Sequence, residues 1–158
     1  VQVIEKMSNI IKTVENSKLI NVPQSPPHIR TKRFITKSIC YHAANMANEI
    51  NARAISTLTN SGYTAFQISA WRPDAHILVF SPNKRIISQL NLLWGVRAFY
   101  YNKFASTDET INDVNKIAYK KGYVEVEDMV ISLAAMPMKE KGMVNTLRVS
   151  EVKDYSKS

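Results

Sequence analysis

The chain has 158 residues, 45% of them hydrophobic and 22% charged, with a formal net charge of +8. That composition is ordinary for a globular protein and excludes wholesale disorder; at this length a core forms without staples. Cys40 is the only cysteine, which excludes an intrachain disulfide and sets a reducing, cytoplasmic compartment as the expectation. Residues 1–17 predict a helix, with Ile4, Met7, Ile11 and Val14 along one stripe and Glu5, Lys12 and Asn16 opposite. Such a helix wants one partner surface. The stretch Asn21-Val22-Pro23-Gln24-Ser25-Pro26-Pro27 follows, and three prolines allow neither helix nor central strand. A boundary is therefore expected here: residues 1–20 as a terminal helix, 21–29 as a linker, 30–153 as an α/β domain and 154–158 as a tail. A chain opening at Val1 inside an apolar pattern reads as a piece of something longer.

Beyond the linker the elements alternate. Residues 31–50 predict a helix presenting Ile35, Ile39, Ala43, Met46 and Ile50, and residues 53–59 a strand. A short helix is expected over 62–72, stopped by Pro73, and a second strand over 76–80. Ser81 and Pro82 supply an N-cap and a first-turn proline for a helix carrying Ile86, Leu90 and Leu93, ended by Gly95. A third strand covers 96–101. Ser106-Thr107-Asp108-Glu109 is a capping box for a helix through Ile111, Val114 and Ala118, with its acids first and Lys120-Lys121 last. The nearly continuous apolar run 129–135 predicts a buried strand, and 144–152 an edge strand. The loop between those two strands is too short for a helical crossover, so the last strand runs antiparallel. The expected fold is an open five-stranded, mostly parallel α/β sheet with an antiparallel edge and helices on both faces.

The charge is uneven. Residues 1–50 carry seven Lys/Arg against three acids, residues 51–100 five against one, and the remainder nine of each. A basic first two thirds suits an anionic partner. The cations are scattered, with Arg30, Lys32, Arg33 and Lys37 the densest group, and no nucleic-acid motif is present, which argues against nucleic acid. No run is long enough to cross a membrane.

Chemistry is best placed at Leu58-Thr59-Asn60-Ser61-Gly62-Tyr63-Thr64, where the first strand gives way to a helix. Ligands of open α/β sheets bind at the carboxyl ends of strands, and free N–H groups at a helix start attract anions. Gly62 would let the backbone approach a ligand closely. Thr59, Ser61 and Thr64 offer three hydroxyls to a phosphate. The same residues equally suit a plain capped turn. Elsewhere the signals are weaker. His28, His42 and His76 are far apart, and Cys40-x-His42 points to two sides of a helix, so metal binding is not expected. Asp108, Glu109, Asp113, Glu125, Glu127 and Asp128 read as helix starts and solvated surface. Trp71 and Trp94 read as core residues on helix faces. No nucleophile-elbow or ATP-loop motif is present.

Several stretches resemble the C-terminal domain of pyruvate kinase. They are Ala52-Arg53-Ala54-Ile55 with Thr59-Asn60-Ser61-Gly62-Tyr63-Thr64-Ala65, residues 72–80, residues 89–96, Asp128-Met129-Val130-Ile131 and Asn145-Thr146-Leu147-Arg148-Val149. Residues 1–15 are similar to the last helix of that family's catalytic barrel. The resemblance implies a parent enzyme that moves the phosphoryl group of phosphoenolpyruvate to ADP with magnesium and potassium, all within the barrel. This chain would carry no cofactor and no catalytic residue. It also implies a regulatory role within a homotetramer and a phosphate effector at Thr59, Ser61 and Thr64 through hydroxyls, and at Asn60, Gly62 and Tyr63 through N–H groups.

Two departures bear on the effector. The family's glycine-rich loop between the last two strands here holds one glycine, Gly142, and has Met143-Val144 where threonines are common; Lys139 and Lys141 are its candidate cations. The tryptophan and arginine that bisphosphate-responsive relatives place before the fourth strand are missing from residues 106–118. A sugar or nucleotide monophosphate is therefore the expected effector, or regulation has been lost. The rival expectation is a free-standing phosphometabolite-binding module with no catalytic partner.

Overall fold

The computed structural model describes residues 1–17, 26–28, 33–103, 106–136 and 143–155. The elements are α1 (Gln2–Asn16), α2 (Phe34–Glu49), β1 (Ala54–Leu58), α3 (Tyr63–Ala70), β2 (His76–Ser81), α4 (Lys84–Leu90), β3 (Val96–Tyr100), α5 (Thr107–Lys120), β4 (Met129–Ala134) and β5 (Thr146–Glu151). The five strands form one sheet in the order β3-β2-β1-β4-β5. All neighbours are parallel except β4 and β5, which pair antiparallel from Met129 opposite Glu151 to Ala134 opposite Thr146. The expected architecture is the observed one.

Alternation along the strands divides the core in two. Ile55, Ile77, Val79, Ile131 and Leu133 point to the side covered by α2, α3 and α4, where Cys40, Ala43, Ala65, Ile68 and Leu90 meet them. Ala54, Leu78, Phe80 and Val130 point to the other side, which α5 covers with Val114 and Ala118. Both faces are dry, so the inner strands read as unbroken apolar runs. Ser56 and Ser132 interrupt that pattern on adjacent strands, and each satisfies the other through a 2.9 Å hydroxyl bond. The capping box of α5 forms as expected. Ser106 accepts from the Glu109 N–H, and the Glu109 carboxylate accepts from the Ser106 N–H. These bonds to the ionised form hold the Glu109 carboxyl below its ordinary range.

The structure corrects four local expectations. In α2 the buried side is Thr36, Cys40, Ala43, Ala44 and Ala47, while Ile35 and Ile50 are exposed. The helix lies against both the sheet and α3, and that close approach selects small side chains over large aliphatic ones. α4 is capped by Asn83, whose side chain accepts from the Arg85 N–H; Ser81 ends β2 and accepts from the Asn83 N–H instead. That helix stops at Leu90, leaving Leu93 in the following turn. Val144 precedes β5, buried, with its carbonyl accepting from the Thr36 hydroxyl.

The fourth correction concerns the tryptophans, which are half-buried and lie outside the helices. Trp71 sits just past α3, edge-on to Tyr41. Trp94 occupies the turn before β3 with its indole N–H donating to Glu15 at 3.0 Å and the Arg72 guanidinium over its ring. The Glu15 bond ties the end of α1 to the domain. α1 itself contributes no buried residue, and Ile4, Met7, Ile10 and Ile11 are all more than half exposed. Most of the proline-rich stretch lies outside the described residues.

Candidate functional site

β1, β2 and β3 wind outward in one direction, and the chain then crosses by α5 to lay β4 on the other side of β1. The gap between the ends of β1 and β4 is therefore the topological switch point, where open α/β sheets leave a crevice. The turn 59–64 starts at that point. Thr57 is in register with Leu133, so the end of β4 stands beside the turn. Asn145 closes the base of that loop, accepting from the Met136 N–H and donating to the Met136 carbonyl at 2.8 and 2.6 Å. Lys139, Lys141 and Gly142 lie outside the described residues.

Within the turn, the Thr59 N–H donates to the Phe80 carbonyl at 3.0 Å, which anchors its first residue to β2. Thr59 Oγ1 accepts from the Gly62 N–H at 3.0 Å. Ser61 Oγ lies 3.5 Å from the Tyr63 N–H, a long bond. Two of the three amides expected to face a ligand are thus engaged inside the turn. Ser61 and Asn60 are exposed, Thr59 and Tyr63 half-buried, and Thr64 is buried in the first turn of α3. The turn thus exposes Ser61, leaves Thr59 half-buried with its hydroxyl on the Gly62 N–H, and withdraws Thr64. Thr59 uses only a lone pair on Gly62, so its own proton remains to donate.

Gly62 has a physical reason different from the one expected. Its φ of +79 is left-handed, and a Cβ there would stand 2.8 Å from Leu90 Cδ2. Backbone conformation and the packing of α4 are thus reasons for glycine here that the turn's own sequence did not show. A residue that sequence reasoning passed over stands beside the turn: the Arg33 guanidinium lies 4.4 Å from the centre of the Tyr63 ring. Only tertiary proximity reveals it, since the two are 30 positions apart in the chain.

Other candidate chemistry is scattered. Cys40 is fully buried, and desolvation pushes its thiol up to about 12, so it cannot act as a thiolate near neutrality. A polar cavity of about 470 Å³ opens at the opposite, amino-terminal ends of the strands, lined in part by Arg53, Asp74, His76 and Asp128. His76 is held below its ordinary pKa by burial first and then by Arg53 and Arg97. Among the described residues no group of three His, Cys, Asp or Glu side chains converges as a metal ion would need. No helix among them is long and apolar enough to cross a membrane.

Comparison with known proteins agrees with this architecture. The family described as pyruvate kinase, alpha/beta domain, matches residues 37–150. The pyruvate kinase of Clostridium acetobutylicum is 30% identical over 156 residues, covering 96% of this chain and 32% of the relative. That of Lactobacillus delbrueckii subsp. bulgaricus is 32% identical over 115 residues, covering 73% of this chain and 20% of the relative. This chain thus spans no more than about a third of either relative's length. A crystal structure of a pyruvate kinase from Cryptosporidium parvum superimposes with a TM-score of 0.67 at 22% identity, over 75% of this chain and 23% of that one, a likeness of fold. With a matched stretch running from within α2 to β5, this chain belongs to the pyruvate kinase C-terminal α/β-domain family.

Proposed function

We propose that this chain is the effector and assembly domain of a pyruvate kinase, working in the cytoplasm, and that its turn 59–64 holds one phosphate of a sugar or nucleotide monophosphate. Family membership makes a free-standing module the less favoured reading. Phosphoryl transfer from phosphoenolpyruvate to ADP, with its magnesium and potassium, belongs on this reading to the two thirds of the relatives' length that this chain does not match. The observation that carries the effector site is the position of the turn at the switch point, ahead of α3, with Ser61 exposed and Thr59 half-buried. A phosphate there would take hydroxyl donors first. Exchanging the internal bonds of the Gly62 and Tyr63 amides for bonds to a charged oxygen would strengthen each contact, because bonds to charged groups are worth roughly 1.5–3 kcal/mol against about 1 for neutral ones. An effector regulates only through its differential affinity for two arrangements of the parent, typically about 1–3 kcal/mol.

Calorimetry with ribose 5-phosphate, AMP and fructose 1,6-bisphosphate tests this site. The expected result is binding of a monophosphate that weakens at least about tenfold when Thr59→Val and Ser61→Ala are combined, the loss of one charge-assisted bond or more. Tight binding of the bisphosphate alone rejects the monophosphate reading.

Assembly into a homo-oligomer, a tetramer in the complete enzyme, is the second part of the proposal. α1 supports it: an exposed stripe of Val3, Ile4, Met7, Ile10 and Ile11 is too apolar to leave in water. Deleting residues 1–17 is expected to lower the association state of this chain while leaving its unfolding transition in place, since α1 buries nothing in the core. Unchanged sedimentation after the deletion counts against the stripe as a contact.

A further inference from the structure

The turn 59–64 contains no lysine or arginine, so a phosphate held there by hydroxyls and amides alone would have no formal countercharge. Arg33 stands in the position to supply one. Its guanidinium lies over the ring of Tyr63, the first residue of α3, at 4.4 Å from the ring centre. Arg33 is also the N-cap of α2, so its side chain spans from the start of one helix to the start of the next. The first turn of α2 is in turn fixed to the stem of the loop between β4 and β5, through the Thr36 hydroxyl on the Val144 carbonyl at 3.2 Å. The turn, the start of α2 and the loop stem therefore converge on one corner of the sheet, at the switch point.

The chemistry of the stack matters as much as its place. A guanidinium resting on an aromatic ring uses its flat face and leaves its in-plane N–H groups free to fork onto an oxyanion. Among the described residues no carboxylate is paired with it; Asp113 pairs with Lys103 and Asp108 with Arg148. Arg33 is exposed, so its charge is not needed to stabilise the core.

We infer that Arg33, held by Tyr63, is the charge-recognising residue of this corner and makes it a receptor for a dianionic phosphate monoester. The inference rests on the phosphate reading of the turn and adds the residue that selects the ligand's charge. A phosphate monoester loses its second proton near pH 6, so at neutral pH it presents two or more anionic oxygens to a bidentate fork. Tyr63 is then a positioning residue, acting through the guanidinium.

The test titrates inorganic phosphate and ribose 5-phosphate into the complete chain and into Arg33→Ala, Arg33→Lys, Tyr63→Leu and Lys121→Ala. Lys121 is the control, a cation stacked on Phe99 rather than on the turn. We expect Arg33→Ala to weaken binding at least about tenfold and to flatten its salt dependence, as loss of a charged bidentate contact requires. Arg33→Lys should recover little, because an ammonium neither stacks nor forks in the same way. Tyr63→Leu should fall between, and Lys121→Ala should match the parent. Affinity for Arg33→Ala within twofold of the parent, or an equal loss in Lys121→Ala, overturns the role of Arg33 while leaving the turn as a site. Absence of phosphate binding by the parent chain overturns both.

Discussion

Replacing Gly62 with alanine is expected to lower the melting temperature by about 5–20 °C, the sum of two separable penalties. A non-glycine residue in left-handed backbone costs roughly 1–2 kcal/mol, and Gly62 has a φ of +79. Its new Cβ would also stand 2.8 Å from Leu90 Cδ2, and Leu90 is 1% exposed, so its side chain has little room to retreat. Overpacking of that kind costs about 1–3 kcal/mol, and each kcal/mol is worth about 2–4 °C in a chain of this size. Gly122 provides the comparison. Its φ is +73 but nothing lies within 4 Å of a Cβ there, so Gly122→Ala should show the conformational penalty alone. Thermal unfolding of both variants decides the matter: equal losses would mean that the contact with Leu90 is not what demands glycine. The point bears on the proposed site, because Gly62 would then be held by helix packing whether or not a phosphate binds beside it.

Phe80→Ala should have the other large effect, about 3–5 kcal/mol, the usual cost of emptying a fully buried phenylalanine site. The Phe80 ring is wholly buried beneath the α5 side of the sheet, 5.5 Å from Phe99 and 6.0 Å from Tyr101. Its backbone carbonyl also accepts from the Thr59 N–H, so the loss should loosen the start of the candidate site as well as the core. Urea denaturation measures the first consequence and phosphate affinity the second. Phe80→Leu, which keeps most of the volume, should retain both, and a Phe80→Ala loss below about 1 kcal/mol would show that the neighbouring rings collapse into the space.

The features that were legible in the sequence are those set by local rules. Alternation and apolar runs identified the five strands because both sheet faces are covered. The capping box at Ser106 declared the start of α5 with two side chains only three residues apart. The short connection before β5 dictated its direction. What could not be read depends on contacts between distant parts of the chain. In α2, hydrophobicity nominated Ile35 and Ile50, yet the side that faces α3 must be small, and no property of α2 alone reveals where α3 will lie. Trp94 looked like core because it is large and apolar, but its indole N–H needs an acceptor and finds Glu15, far away in the chain. The candidate site divides the same way. Its hydroxyls were visible as a cluster in one turn, whereas Arg33 comes over the Tyr63 ring only after folding brings α2 against α3.

The strand order has a consequence for how the polypeptide is made. β1 is the centre of the sheet, and on a ribosome it emerges early with β2 and β3 following soon after. Its other neighbour arrives much later: Ser56 and its hydroxyl partner Ser132 are 76 residues apart. At roughly 5–20 residues per second, that interval is on the order of 4–15 s. Throughout it one edge of β1 lacks a strand, and Leu78 and Phe80, once made, lack the helix that roofs them until α5 follows. The nascent half-sheet is sticky for that long, and the synthesis of α5 and β4 is the event that ends its exposure to wrong partners.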